Sequence, residues 1–510
     1  MAVGSLLAKA ILILVSPRML FLVVAGVAAG IVVGALPGLS VTMAVALLTS
    51  LTFGWDIQSA LVLMISIWVG GCYGGSKSAV LLNIPGAPAA VATGFDGYPL
   101  ARLGEAAFGM GVATVASCLG GLFGTGVLAV AAPAIAEIGL KFGPPEYFLL
   151  VMWGLTTVGS LSAKSLSKGL LSACLGLAVS MVGLDTMYGT GRFTFGSIEL
   201  AGGIHFVPAL IGVFGLSEVL LHLEKRRVKT VAERIGADTF KRYLSAFAKH
   251  VPLTLRCAVI GTIIGAIPGI GGEIASLVAY DHAKRTVKRP TRQFGEGAYE
   301  GVLAPETANN AAIGGALIPL LTLGVPGDAV TAVILGVLYI HGIRPGPLVF
   351  NQDRLFFAVI VLVCALAHIV MLWLGFAGNR WLARVVTVPL PVLMPIVVLL
   401  SVVGSFAVQN RIFDVYLMVA FGLAGYLLKK ADFPVGPVIL GVILGPMADG
   451  ELRRTLALYE GDVLRAFVTR PISLVLAVLV GFTVLSQSET AKAIVLRFRL
   501  GFSGRPARPG

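Results

Sequence analysis

The chain has 510 residues, of which 57% are hydrophobic and only 12% charged, and its formal net charge is +13. Soluble domains are about 25% charged, so this composition cannot clothe several water-exposed domains and excludes them. Lipid removes that demand by serving as solvent for most of the exterior, and the chain reads as one membrane unit.

Apolar runs of about 17–25 residues can span a bilayer as helices, and such runs recur from end to end. The first, 19–36, belongs to an apolar stretch, 10–36, without an A-x-A cleavage site, so it is expected to stay in the membrane. Further helices are expected at 57–72, 106–135, 146–160, 166–184, 204–222, 253–267, 311–325 and 328–343, and then at 355–378, 390–407, 413–428, 434–446 and 471–487. Shorter pieces at 39–53, 76–93 and 272–281 each abut a glycine-proline element. The expectation is about 10–13 spans plus half-helices. Period-two alternation is absent, which argues against a β-barrel. The glycines of 106–135 (Gly109, Gly111, Gly120, Gly121, Gly124 and Gly126) suit close helix packing.

The positive charge raises a nucleic-acid reading, but its distribution argues against one. Basic residues gather in connectors between apolar runs, at Glu224–Arg256 and Lys284–Arg292, and in the tail after Ser488. That is the pattern of cytoplasmic loops. The division expected is a first membrane half 1–222, a basic cytoplasmic linker 223–252, a second membrane half 253–487 and a basic cytoplasmic tail 488–510. Five single cysteines form no CxxC pair. Six scattered histidines form no HExxH, and no GxxxxGK[ST] phosphate loop is present. These absences argue against a membrane enzyme and an ATP-driven pump.

An internal repeat carries the functional reading. Residues 31–40, IVVGALPGLS, match 262–271, TIIGAIPGIG. A second Pro-Gly follows in each half, in Asn83-Ile84-Pro85-Gly86 and Gly324-Val325-Pro326-Gly327. The first pair is offset by 268 − 37 = 231 residues and the second by 326 − 85 = 241. Proline removes a backbone donor and stops or kinks a helix, and glycine then allows angles that other residues resist. The freed backbone groups cannot face lipid. Matched breaks in two halves point to a transporter binding site. The candidate substrate- or ion-binding residues are therefore Gly38, Asn83, Pro85, Gly86, Thr93, Gly269, Asn309, Asn310, Thr322, Pro326 and Gly327. Ser76, Lys77 and Ser78 precede the first break, and Asp328 follows the second. Asp96, Arg102, Glu306 and Arg344 either line the path or mark helix ends in the headgroup zone.

These segments resemble the large membrane subunit of the tripartite tricarboxylate transporters, the TctA family. The resemblance rests on GALPGLS at Gly34–Ser40, YGGSKSAVLLNIPG at Tyr73–Gly86 and ATGFDGYPLARLG at Ala92–Gly104. It continues through Ile260–Tyr280, the APETANNAA block within Phe294–Gly327, Ile340–Phe350, Gly422–Pro446 and the RPIS at Arg470–Ser473. Lys77 and Asp449 depart from the family pattern, where an uncharged residue and a glutamate are expected. The resemblance implies an importer of a tricarboxylate, dicarboxylate or similar small organic anion, placed in the bacterial inner membrane and driven by an ion gradient. It implies two partners, a periplasmic solute-binding protein and a small four-helix membrane subunit. It implies no cofactor, with Na⁺ a possible bound coupling ion. From the residues alone, a stand-alone ion-coupled carrier or a channel stays open as the alternative. The fold expected is an all-α polytopic bundle of two related halves with broken or re-entrant helices at the Pro-Gly motifs.

Overall fold

The computed structural model describes residues 3–36, 39–161, 165–185, 189–224, 240–378 and 390–487. In chain order the helices are α1 Val3–Val15, α2 Pro17–Ala35, α3 Val41–Leu51, α4 Ile57–Leu82, α5 Val91–Leu100, α6 Ala106–Gly139, α7 Pro144–Leu161, α8 Leu166–Ser180, α9 Ile198–Ala201, α10 Phe206–Ile211 and α11 Ser217–Glu224. They continue as α12 Phe240–Ala266, α13 Gly271–Thr286, α14 Glu300–Leu323, α15 Ala329–Ile340, α16 Pro347–Gln352, α17 Arg354–Ala377, α18 Leu390–Gln409, α19 Ile412–Lys430, α20 Gly436–Leu458, α21 Val463–Thr469 and α22 Pro471–Gln487. The one sheet among the described residues pairs β1 Gly183–Leu184 with β2 Gly191–Arg192, antiparallel, Gly183 facing Arg192. The fold is an all-α membrane bundle.

Among the described residues seven helices are long and apolar enough to cross a membrane, or eight if Val463–Thr469 and Pro471–Leu485, bent by 107°, form one span. This is fewer than the 10–13 expected. Several apolar runs fold as half-length helices, such as the 11-residue α3 and the 12-residue α15. Other helices are long but polar: α14 has 24 residues and holds Glu306, Asn309 and Asn310. For the same reason α4 runs on through Ser76, Lys77 and Ser78 to Leu82, and α14 starts at Glu300 rather than 311. Hydropathy stops at a polar residue, whereas a helix continues wherever that residue finds a partner. The helix expected at 253–267 begins at 240 and kinks at His250 (φ −121°). The linker residues 225–239 and the tail 488–510 lie outside the described residues.

The chain folds as two compact units, Met1–Lys141 with Ile204–Leu427, and Phe142–Gly203 with Leu428–Gly510. This cut differs from the division by sequence repeat, because the second unit takes a piece from each half.

In the first unit the repeat is visible atom by atom. Helix α2 lies against α4 so closely that a Cβ on Gly30, Gly34 or Gly74 would overlap the carbonyl of Ile67, Gly71 or Ile31. Helix α12 lies against α14 in the same manner, with Gly261, Gly265 and Gly315 on the carbonyls of Ala308, Ala312 and Thr262. Each position maps onto its counterpart by the offset of 231 on α2 and α12, or 241 on α4 and α14. Small residues permit this approach, and dispersion between the touching backbones holds it. The halves also exchange neighbours. Helix α3 of the first half packs on α15 of the second, and α13 of the second packs on the 3₁₀ turn Pro88–Ala90 of the first.

The second unit is built on half-buried ion pairs. Arg192 and Arg453 both bridge to Asp449, at 3.0 and 2.9 Å, and Arg453 also reaches Asp185 at 2.9 Å. Asp449, the departure from the family pattern, thus ties the β2 strand to α20. The RPIS residues act together: Arg470 lies 2.7 Å from the buried Glu146, and Ser473 donates to the same carboxylate at 2.5 Å.

Candidate functional site at the paired helix breaks

Helix α4 ends on Asn83 in the left-handed conformation (φ 56°), and α14 ends on Gly324 (φ 71°). Their separation, 324 − 83 = 241, is the repeat offset. After each end the chain runs through Pro-Gly without helix and resumes as a new helix. The freed backbone groups are partly recaptured inside each half. Gly86 N–H donates to Gly75 O at 3.3 Å, and Gly269 N–H donates to Gly327 O at 2.8 Å. A Cβ on Gly86 would overlap the Gly34 carbonyl, and one on Gly327 would lie 2.8 Å from the Gly265 oxygen. So the second Pro-Gly of each half sits on the helix end that leads to the first. Pro37 and Gly38 themselves lie outside the described residues.

Beside these breaks is a buried polar network. Glu306 of α14 is fully buried and accepts from Thr93 Oγ1 at 2.5 Å and from Ser117 Oγ at 2.8 Å. Lys77 of α4 is also fully buried. Its Nζ donates to Met110 O at 2.9 Å and Thr114 Oγ1 at 3.2 Å, and stands 4.2 Å from the centre of the Tyr73 ring. The Tyr73 hydroxyl shares a 2.7 Å hydrogen bond with Thr114. The departure at Lys77 is therefore buried in the last two turns of α4, with its Nζ held by Met110 and Thr114. Asp328 caps α15 by accepting from Thr331 N–H at 2.8 Å.

Two further residues of the APETANNAA block carry orphaned atoms. Asn310 Nδ2 donates to Glu306 O at 3.1 Å, but its Oδ1 meets no protein partner among the described residues. A Cβ on Gly272 would overlap Asn309 Oδ1, and Asn309 Nδ2 likewise has no partner among the described residues. Both residues are buried. A buried, unpaired amide is costly, so this pair leaves one donor and one acceptor for a ligand or water.

The other expected residues fall as follows. Thr93 is buried on Glu306, and Thr322 is buried but spends its hydroxyl on Ile318 O at 2.7 Å within its own helix. Gly86, Pro326 and Gly327 are buried, Pro85 and Gly269 are half-buried, and Asn83 is exposed at its helix end. Of the four charged residues with two readings, Asp96 and Glu306 are buried, whereas Arg102 and Arg344 are exposed at helix ends. Asp96 has a structural task. Its Oδ1 accepts the N–H groups of Gly295, Gly297 and Ala298 at 2.8, 3.0 and 2.8 Å, and its Oδ2 accepts from Tyr280 at 2.9 Å. Gly295 and Gly297 have φ of 94° and 99°, angles that favour glycine and aim those N–H groups at one oxygen. Tyr73, Thr114 and Ser117 escaped sequence reasoning. Their signal is weak, because hydroxyls in glycine-rich helices read as packing.

The tripartite tricarboxylate transporter TctA family matches residues 20–440. The chain belongs to that family. Its members are transporters, and this TctA chain is a multi-pass membrane protein of the bacterial inner membrane. It is similar to an uncharacterized 52.8 kDa protein in the TAR-I ttuC' 3' region of Agrobacterium vitis, 36% identical over 454 residues, covering 88% of this chain and 89% of the relative. It is also similar to an uncharacterized protein in the TAR-II ttuC' 3' region of the same organism, 36% identical over 214 residues, or 42% of this chain and 87% of that one. No solved structure matches. The matched range takes in both helix breaks and the whole Glu306 network.

Proposed function

We propose that this chain is the translocating subunit of a binding-protein-dependent importer of a small organic carboxylate, driven by a cation gradient. The supporting observation is a pair of matched helix breaks, with Thr93 just past the first hydrogen-bonded to a buried, hydroxyl-lined acid on the helix that leads to the second. A carboxylate that leaves water must trade its hydration for fixed donors. The ends of broken helices offer unpaired backbone N–H groups, and the Asn309 amide adds a side-chain donor. The Asn310 oxygen and the carbonyls of the unwound segments suit a cation such as Na⁺. Glu306, Asp328 and Glu273 supply the negative charge that a coupling cation answers, and Lys77 offsets part of it. The substrate- or ion-binding set is thus Asn83, Pro85, Gly86, Thr93, Gly269, Asn309, Asn310, Thr322, Pro326 and Gly327, with Gly38 assigned by the repeat.

The basic connectors fit a shared cytoplasmic face. Arg242 and Arg292 both pair with Glu105, the latter at 2.6 Å, so the two connectors come to one end of the first unit. The partners proposed are a periplasmic solute-binding protein and a small four-helix membrane subunit.

Reconstitution tests the reading. The chain alone in liposomes with an imposed Na⁺ or H⁺ gradient should accumulate little citrate or other carboxylate. Adding the cognate binding protein and small subunit should restore uptake. Full uptake by the chain alone would mean a stand-alone carrier, and flux far above carrier turnover would mean a channel.

A further inference from the structure

Away from the breaks, an apolar groove opens between α1, α6, α16 and α17, with a volume of about 510 Å³. That is the size of a pocket holding a drug-sized ligand. Leu7, Ala129, Pro133, Phe357 and Leu362 are among its walls, and two charged residues, Glu137 and Arg354, join them. Both charges sit at one end. Glu137 lies in the last turn of α6, which stops at Gly139, and Arg354 is the first residue of α17. Charged residues at the ends of apolar helices mark the headgroup level. From there the groove descends along α6 to Ala129 and along α17 to Leu362, eight residues on each wall (137 − 129 and 362 − 354). Eight residues of helix rise about 12 Å, close to the roughly 15 Å depth of one hydrocarbon leaflet.

The charged end is exposed and open to a ligand. Arg354 donates through Nε to Phe350 O at 3.3 Å, which steadies the guanidinium. Among the described residues its Nη groups and the Glu137 carboxylate meet no protein partner. An open guanidinium is suited to a phosphate, which it grips through two parallel hydrogen bonds. A carboxylate beside it repels a purely anionic headgroup but accepts hydrogen bonds from an ammonium.

We propose that this groove is a single-leaflet binding site for a zwitterionic phospholipid bearing a primary ammonium. One acyl chain fills the apolar channel, Arg354 holds the phosphate and Glu137 holds the ammonium. The assignment is independent of what the protein transports.

Native mass spectrometry of the purified full-length chain tests it, with dioleoyl lipids bearing ethanolamine, glycerol or choline headgroups added in turn. The ethanolamine lipid should be retained about tenfold more tightly than the other two, the worth of one charge-assisted hydrogen bond. Glu137→Gln should abolish that preference without weakening the glycerol lipid. Arg354→Gln should weaken all three, and Ala129→Trp, which fills the channel, should displace all three. Glu137 and Arg354 are exposed, so melting temperatures should match the parent and report any folding defect. Equal retention of the three lipids by the parent would overturn the proposal, as would an unchanged preference in a folded Glu137→Gln variant. Unchanged retention in Ala129→Trp would remove the acyl chain from the groove.

Discussion

Thr93 of α5 donates a 2.5 Å hydrogen bond to Glu306 of α14, joining a residue just past the first helix break to the buried acid that precedes the second. A hydrogen bond to a charged group contributes about 1.5–3 kcal/mol. Thr93→Val keeps the shape, removes that donor and leaves Ser117 on the other carboxylate oxygen. It should lower stability by about that amount, and Thr93→Ser should recover most of it. Glu306→Gln should abolish most uptake while the protein still inserts. Thermal melts in detergent and uptake normalised to membrane protein give the readings. Parent-like uptake by Glu306→Gln would remove the acid from the transport site.

The glycine contacts predict a paired result. Gly86→Ala and Gly327→Ala each force a methyl into backbone, near Gly34 in one half and near Gly265 and Ala316 in the other. Overpacking of this kind costs about 1–3 kcal/mol, and the loss should be larger at Gly86, where the methyl would overlap the Gly34 oxygen, than at Gly327, where it would stand 2.8 Å from the Gly265 oxygen. At Gly126 on α6 a methyl would stand in open space, with nothing within 4 Å, so Gly126→Ala should be neutral or stabilising by about 0.5–1 kcal/mol. A melt series compares all three. Tolerance of alanine at Gly86 but not Gly327 would overturn that order.

Asp96 should behave as a structural residue. Asp96→Ala strands the buried N–H groups of Gly297 and Ala298, at about 1–3 kcal/mol per unsatisfied group, while the exposed Gly295 N–H and the half-buried Tyr280 hydroxyl can turn to water. Asp281→Ala breaks an exposed pair with Arg285, at 2.8 Å, and exposed pairs contribute about 0–1 kcal/mol. The abundance of folded protein should drop sharply for the first variant and stay level for the second. Equal abundance would mean that the Asp96 contacts stabilise nothing.

For the asparagines the expected loss is in affinity. Asn309→Ala and Asn310→Ala remove side chains whose free atoms have no protein partner among the described residues, so folding should change little. Apparent affinity for substrate or Na⁺ should fall by about one to two decades if a charged ligand is bound there. Uptake at limiting substrate and at limiting Na⁺ separates the two ligands. Parent-like transport by both variants would move the site elsewhere.

The breaks were legible in the sequence because proline and glycine act on their own backbone. The spacing of the two pairs therefore foretold the matched helix ends at Asn83 and Gly324. Polar helix interiors were not legible. Lys77 and Glu306 look costly in a hydropathy window, since their partners Met110, Thr114, Thr93 and Ser117 are distant in sequence. Nor could composition foretell that Glu146 would meet Arg470 and Ser473, and so bring 142–203 together with the C-terminal helices. Asp96 and Arg102 stand six residues apart in one motif, yet one is buried and the other exposed. Only the fold of the 295–298 segment separates them.

The repeat of the first unit is faithful in backbone but not in charge. The positions that answer to Glu306 and Lys77 in the opposite half are Ile65 (306 − 241) and Ile318 (77 + 241). A duplicated scaffold with identical halves would give the two halves equal energies in exchanged roles. Charge confined to unmatched positions lifts that degeneracy. Under the proposed transport cycle the unloaded protein is expected to favour one orientation, and replacing Lys77 and Glu306 together by isoleucine should bring its two populations closer to balance.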